Sequence, residues 1–265
     1  ELEFISLQNL KNMFMKQMKF FLVALMAVVM GVSVTSCMNG DDNNGPRTLS
    51  VIAKLDSYGS NFKMIDGTKL VPTDPTSIML LNSGMYIVNG QYNIEDVNVN
   101  AASITFTLTS TPTNIDGPSV TSTPDDADAT MYALNYENTY YPYFFDKNTL
   151  ILPAMFHFKN SSVSTELEAE LKKHKFIISY DAEKVAEGGE TLDLYVNHII
   201  TEDKDETRTS YTVSYQAYDL SSVLYHFTNL KKIIVHAQVN TSSNKLDNSS
   251  TREEKFEIDY SKIVQ

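Results

Sequence analysis

The chain has 265 residues, with 21 Lys and Arg against 33 Asp and Glu, a formal charge of −12. That balance excludes a phosphate-binding, nucleic-acid partner, which needs clustered basic residues. A single cysteine excludes a disulfide framework and a thiolate metal site.

The chain order begins with a processing signal. Lys16 and Lys19 precede the apolar run Phe20–Val32, which is broken only by Gly31, and Ser33, Thr35 and Ser36 follow it. The run is too short to span a membrane, and a basic start, a short apolar centre and a small-residue exit define a secretory signal peptide. It ends in Val34-Thr35-Ser36-Cys37, which resembles a bacterial lipobox. That resemblance implies acylation of Cys37 and cleavage before it, giving a protein held on a membrane by its N-terminal lipid. Multiple acyl chains are what stable anchoring requires. Removing residues 1–36 leaves 18 basic against 31 acidic residues, or −13. The polar stretch after Cys37 buries nothing and reads as a tether. Its Asp41 and Asp42 resemble a signal for export to the outer face of the outer membrane, and a plain solvated tether accounts for them equally well. The expected location is the outer membrane of a Gram-negative bacterium, facing the periplasm or the cell surface.

From Thr48 the pattern turns to strands. Leu49, Val51, Ala53 and Leu55 point one way and Ser50, Ile52 and Lys54 the other, Asp66-Gly67 and Asn89-Gly90 each read as a hairpin turn, and Ile104, Phe106 and Leu108 share one face. Five or six short strands make a small barrel. Ser110–Thr130 holds three of the eight prolines and reads as a linker. Its Asp125, Asp126 and Asp128 lack the glycine and distal glutamate of an EF-hand, so a solvated charge run is the plainer reading than a calcium loop. Tyr136–Phe145 packs six aromatics into ten residues. Around Ser164–Lys175 lies one helix, with Val163, Leu167 and Leu171 as its apolar stripe and Thr165 with Glu168 as a capping box. Five or more strands follow, separated by turn-rich gaps, as in an antiparallel sandwich.

The expected fold class is therefore all-β: a small OB-type barrel, then an antiparallel β-sandwich, with one short helix. The expected divisions are 1–36 for upstream residues and signal peptide, 37–47 for the lipidated tether, 48–110 for the barrel, 111–130 for the linker and 131–265 for the sandwich.

The lipobox, "NFKMIDGTKLVPTD", "SGMYIVNGQYNI" and the ending "LDLYVNHII…YTVSYQAYDLSSVL…KKIIVHAQVNT…KFEIDY" together resemble the NigD-like bacterial lipoproteins. The resemblance implies an OB-type N-terminal domain and a β-sandwich C-terminal domain. It carries over one residue role, that of Cys37, and no activity.

No catalytic motif stands in the chain: neither H-E-x-x-H nor G-x-S-x-G, and no phosphate-cradling glycine loop. The five histidines lack close metal-ligand spacing. His198 and His236 lie in apolar strands and could approach across a sheet, although a hydrogen-bonded structural histidine is the plainer reading. Nothing calls for a cofactor or a metal. Between Thr48 and Pro124 the chain carries Lys54, Lys63 and Lys69 against Asp56, Asp66, Asp74, Glu95, Asp96 and Asp116, so nucleic acid is not the barrel's expected partner. Tyr140, Tyr141 and Tyr143 remain as the candidate contact surface, since tyrosine joins apolar area to a polar tip. The expected function is a non-enzymatic envelope lipoprotein that binds a protein or glycan. The alternatives are a hydrolase with a site assembled from distant residues, and a bacteriocin-related, immunity-type envelope protein.

Overall fold

The structure is a computed structural model and describes residues 45–56, 60–122 and 127–263. The signal peptide, Cys37, Asp125 and Asp126 lie outside the described residues. The chain divides into two units, with the boundary between Asn114 and Ile115.

In the first unit, the alternation read in the sequence becomes β1 (Arg47–Leu55), which buries Leu49, Val51, Ala53 and Leu55. β2 (Phe62–Lys63) and β3 (Lys69–Pro72) follow, joined at Asp66-Gly67, where Gly67 takes φ 85°. A positive φ is the conformation glycine supplies without steric cost. β4 (Gly84–Tyr92) pairs along the whole of β1, β5 (Val97–Asn98) and β6 (Ser103–Leu108) follow, and β7 (Thr113–Asn114) adds to β4. β3 and β6 pair in parallel, and β6 closes on β4 at Gly90 and Gln91. The ring β1-β2-β3-β6-β4 is the five-stranded Greek-key barrel expected of an OB-type domain.

Asn89-Gly90 is not a turn. β4 runs straight through it, with Asn89 opposite Ser50 and Gly90 opposite Leu49. The glycine is needed for close approach: a Cβ there would lie 2.5 Å from the Phe106 ring and 2.8 Å from the Thr107 carbonyl oxygen. Gly90 thus sits where the barrel closes, a place where glycine in a strand has positional meaning. Gly90→Ala is expected to destabilise the first unit by about 1–3 kcal/mol through overpacking. A lowered urea midpoint with unchanged far-UV circular dichroism checks this.

The second unit contains β8 (Met131–Ala133), β9 (Tyr143–Phe144), β10 (Thr149–Phe158), β11 (His174–Ser179), β12 (Thr191–Ile200), β13 (Ser210–Asp219), β14 (Lys232–Val239) and β15 (Arg252–Asp259). These strands form one sheet in the order β11-β12-β14-β8-β10-β13, with β15 on β14 and β9 on β10. β8 joins β14 through the single bridge Val239–Met131. Either side of that corner the sheet curls over a shared core, in which Leu150, Leu152, Ala154 and Phe156 meet Phe176, Ile178, Leu192, Leu194, Val235 and Ala237. The expected sandwich is realised as one curled sheet. Pro153 falls on β10 between the residues that pair with β9 and those that pair with β8, so its missing N–H breaks no ladder bond there.

The proline-rich stretch divides differently from the expected linker at 111–130. Thr113–Asn114 is β7 of the first unit, and Ile115 onward belongs to the second. Ala217 N–H donates to the Ile115 carbonyl and Gly117 N–H to the Ala217 carbonyl, which fixes the segment on the edge of β13. At Thr121 it has reached the edge of β11, donating to the Ile178 carbonyl and accepting from Tyr180 N–H. The segment therefore straps the two ends of the curled sheet together. Tyr218 crosses the same gap, its hydroxyl donating to the Phe176 carbonyl at 2.8 Å. Sequence alternation cannot reveal such a strap, because it pairs through isolated bridges and has no period.

Among the described residues this unit holds three short helices where one was expected: α1 (Ser164–Lys172), α2 (Ala182–Glu187) and α3 (Ser221–Leu224). α2 lies in a stretch read as a turn-rich gap, and Asp181 caps it by accepting from Glu183 N–H and Lys184 N–H. α1 reverses its expected orientation. Val163 and Leu171 are exposed, and its one buried residue is Glu170. The expected capping box at Thr165 and Glu168 does not form; the N-cap is Val163, with no side-chain cap. A buried ion pair outweighs the apolar stripe in orienting this helix.

Candidate functional site

β10 is buried along nearly its whole length, on both faces. One face belongs to the core. The other, carrying Ile151, Pro153, Met155 and His157, is roofed by tyrosines. β13 presents Tyr211, Val213 and Tyr215 on that face, opposite His157, Met155 and Pro153. β9 brings Tyr143 opposite Ile151. Tyr132 stacks on Tyr211 at 4.2 Å and meets Tyr136 edge-on at 5.7 Å. Tyr141 stacks on Phe256 at 5.3 Å. Such offset and edge-on pairs stabilise one another beyond the area they bury.

The three tyrosines expected as a contact surface are all half-buried. Tyr140 pairs through its backbone with Tyr136. The Tyr143 hydroxyl is pushed well above its ordinary range by burial, with Tyr215 and Tyr141 beside it adding to the shift. Burial raises Tyr215 too, with Tyr140 adding to it. Tyr136 is pushed up to about 12 by hydrogen bonding with Glu137 and Tyr211. All these hydroxyls stay protonated at neutral pH, so the face presents rings and neutral O–H groups. Its most exposed ring is Tyr211, at 49%. Tyr132, Tyr211 and Tyr215 were not singled out in the sequence, although "YTVSY" carried the signal: two tyrosines four apart in a strand share a face.

His198 and His236 stand on opposite faces of the sheet. His198 is buried; its Nδ1–H donates to the Thr130 carbonyl at 2.9 Å, so its Nε2 accepts from His174 Nδ1–H at 2.9 Å. His174 Nε2 lies 3.4 Å from Glu170 Oε1. That carboxylate accepts from Arg208 Nε at 2.6 Å and from Lys159 N–H at 3.1 Å. The result is a buried polar chain, Arg208–Glu170–His174–His198–Thr130. His236 instead sits between Asp193 at 2.7 Å and Glu253 at 3.0 Å, with both ring nitrogens engaged.

Beside α2 lies a cleft of about 270 Å³ lined by Asp181, Lys184, Val185, Glu190, Leu192 and Asp193, among others. Its carboxylates already have partners: Asp181 caps the helix, Glu190 binds Lys231 and Asn229, and Asp193 binds His236. Among the described residues no group of three or more His, Cys, Asp or Glu is placed to hold a metal. Asp128 is occupied by Lys204 at 2.9 Å and accepts from Ile200 N–H.

Fold and site define a two-unit all-β protein, a five-stranded barrel followed by a curled sheet with a tyrosine-roofed face. No family model and no curated protein matches the chain. Among solved structures it is similar to a protein of Bacteroides fragilis described as a "Putative lipoprotein", at 29% identity and a TM-score of 0.71, over 81% of this chain and 98% of that one. It shares its fold with a protein of unknown function, DUF1344, from Bacteroides vulgatus, at 13% identity and a TM-score of 0.50, over 81% and 91% of the two chains. A NigD-like immunity protein from Bacteroides caccae aligns at 13% identity and a TM-score of 0.46, over 80% of this chain and 96% of that one. The resemblance to the NigD-like lipoproteins drawn from the sequence stands beside these neighbours.

Proposed function

We propose that the protein is a lipid-anchored envelope module of the outer membrane that binds a protein or glycan and catalyses no reaction. The observation that carries this reading is the tyrosine roof over β10, a rigid aromatic face with neutral polar tips and a half-exposed ring at Tyr211. Tyrosine offers contact area at low entropic cost, and its hydroxyls suit hydrogen bonding to sugars or peptide groups. The histidines at His198 and His236 are held by carbonyl and carboxylate partners, as structural histidines are. The anchor rests on Cys37 and on the likeness to the Bacteroides fragilis protein.

The test is retention of purified protein on envelope extracts and on an array of envelope glycans. Tyr211→Ser and Tyr140→Ser are expected to stay folded and to lose about tenfold or more in retention. Unchanged retention would remove the site, and turnover of an envelope polysaccharide or peptide by the wild type would overturn the non-enzymatic reading. In a detergent phase-separation assay, Cys37→Ala is expected to leave the detergent phase; partitioning unchanged at unchanged mass would refute the lipid anchor.

A further inference from the structure

Of the sheet's outer strands, β13 and β15 are built in opposite ways. β15 pairs with β14 alone and carries six charged residues in eight, Arg252, Glu253, Glu254, Lys255, Glu257 and Asp259. Charges of this kind keep a strand edge from pairing with other chains. β13 has ten residues, and the first nine, "SYTVSYQAY", carry no charge, no proline and no glycine. Its register with β10 is unbroken from Ser210 to Asp219, so no bulge turns its edge away. From Ser210 to Gln216 it therefore lacks the charges, prolines and bulges that guard an edge, and the strap covers it only at Ala217.

The hydrogen bonds say which backbone groups this edge offers. Ala217 N–H and C=O both point away from β10, to Ile115 and Gly117. Alternation along the strand then turns the N–H and C=O of Tyr211, Val213 and Tyr215 the same way. Among the described residues none of these six groups has a backbone partner.

We infer that the β13 edge joins a second copy of this chain, antiparallel and two-fold symmetric about Val213. "Tyr211-Thr212-Val213-Ser214-Tyr215" reads nearly the same in both directions. A two-fold at Val213 sets Tyr211 against the other copy's Tyr215, Val213 against Val213 and Thr212 against Ser214. Residues 211, 213 and 215 are the ones whose backbone groups point outward, so all three fall at hydrogen-bonded pairs and six bonds form. Tyrosine pairs and hydroxyl pairs are favourable cross-strand neighbours. The extent fits as well. β13 begins at Ser210, which would lie opposite Gln216, and the strap from Ile115 takes over the edge one residue later, at Ala217. An uncharged segment is also where two chains of formal charge −12 can approach. A closed two-fold contact uses the same patch on both copies.

The experiment is sedimentation of the full chain in detergent over a concentration series. The wild type is expected at twice the single-chain mass. In Val213→Lys the two-fold sets lysine against lysine, about 5.5 Å apart between Cα atoms, and the mass is expected to halve with an unchanged circular dichroism spectrum. Val213→Pro removes only an outward N–H and is expected to halve it too, which covers the case of a misfolded lysine variant. Mixing Val213→Lys with Val213→Asp is expected to restore the doubled mass, because residue 213 then meets its opposite charge. A wild type that sediments as a single chain throughout, a Val213→Lys that stays doubled, or a mixture that stays single would each overturn the inference.

Discussion

Glu170→Ala is expected to destabilise the second unit by about 3–5 kcal/mol, the cost of leaving a buried charge without its partner. The partner is Arg208, 1% exposed, whose Nε donates to Glu170 at 2.6 Å. Its other guanidinium nitrogens donate to the carbonyls of Asp203, Glu206 and Glu202, so the turn between β12 and β13 is wrapped around one cation. Asn244 fastens the arrangement, accepting from Arg208 N–H and donating to the Glu206 carbonyl. Burial opposes ionisation of Glu170, but hydrogen bonds from Arg208 and Lys159 N–H win and hold its carboxyl at about 2. This stability is present above the ordinary value of 4.5 and is lost as pH falls toward 2. Arg208→Met is expected to cost as much as Glu170→Ala, and the double change Glu170→Leu with Arg208→Met less than either. Glu206→Ala, which breaks an exposed pair with Lys159 at 3.0 Å, is expected to cost no more than about 1 kcal/mol. Urea unfolding of the four variants checks the order; equal losses in Glu170→Ala and Glu206→Ala would refute the argument.

Glu170 also marks where sequence reading stops. The strands were legible because period-2 alternation survives in β1, β6, β12 and β14, where one face meets a core. α1 misled the same logic: Val163, Leu167 and Leu171 have helical spacing, yet the helix buries a carboxylate whose partner stands 38 residues away. Long-range pairing of this kind leaves no local period. Asn89-Gly90 misled in another way, since the dipeptide that favours a turn also permits the close approach that β4 needs beside Phe106. The tyrosine cluster at 136–145 was legible as composition. Its roof was not complete until β13 supplied Tyr211 and Tyr215 from 70 residues further on, and only pairing with β10 shows which of their faces point together.

The urea midpoint of the second unit is expected to fall as pH drops from 6.5 toward 4, well before the Glu170 window opens. His198 Nδ1–H must donate to the Thr130 carbonyl, so in the neutral ring Nε2 accepts from His174 Nδ1–H. That leaves the His174 Nε2 lone pair toward Glu170 Oε1, a long contact of 3.4 Å, in keeping with two neutral rings. Burial lowers His174 to about 4, against the pull of Glu170 and with Arg208 and Lys173 opposing a further charge. Burial lowers His198 to about 3; the Thr130 carbonyl works against this, and His174, Arg208 and His157 work with it. His157 is lowered by burial too, against its bond to Asn240. The unfolded chain takes up these protons near 6.5, the folded chain only at lower pH, so stability is full above 6.5 and is lost below it. For His174 and His198 together the loss steepens to at most about 3 kcal/mol per pH unit below 6.5. Against a total of about 5–15 kcal/mol for a domain, that is a large share of the unit's stability. His198→Phe, placed between the Phe156 and Phe176 rings, is expected to be less stable at neutral pH, because the Thr130 carbonyl loses its donor, and to show a shallower decline with acid. A wild-type midpoint that stays flat from pH 6.5 to 4.5, or a His198→Phe variant with the full wild-type slope, would show that the buried histidines are not what acid attacks.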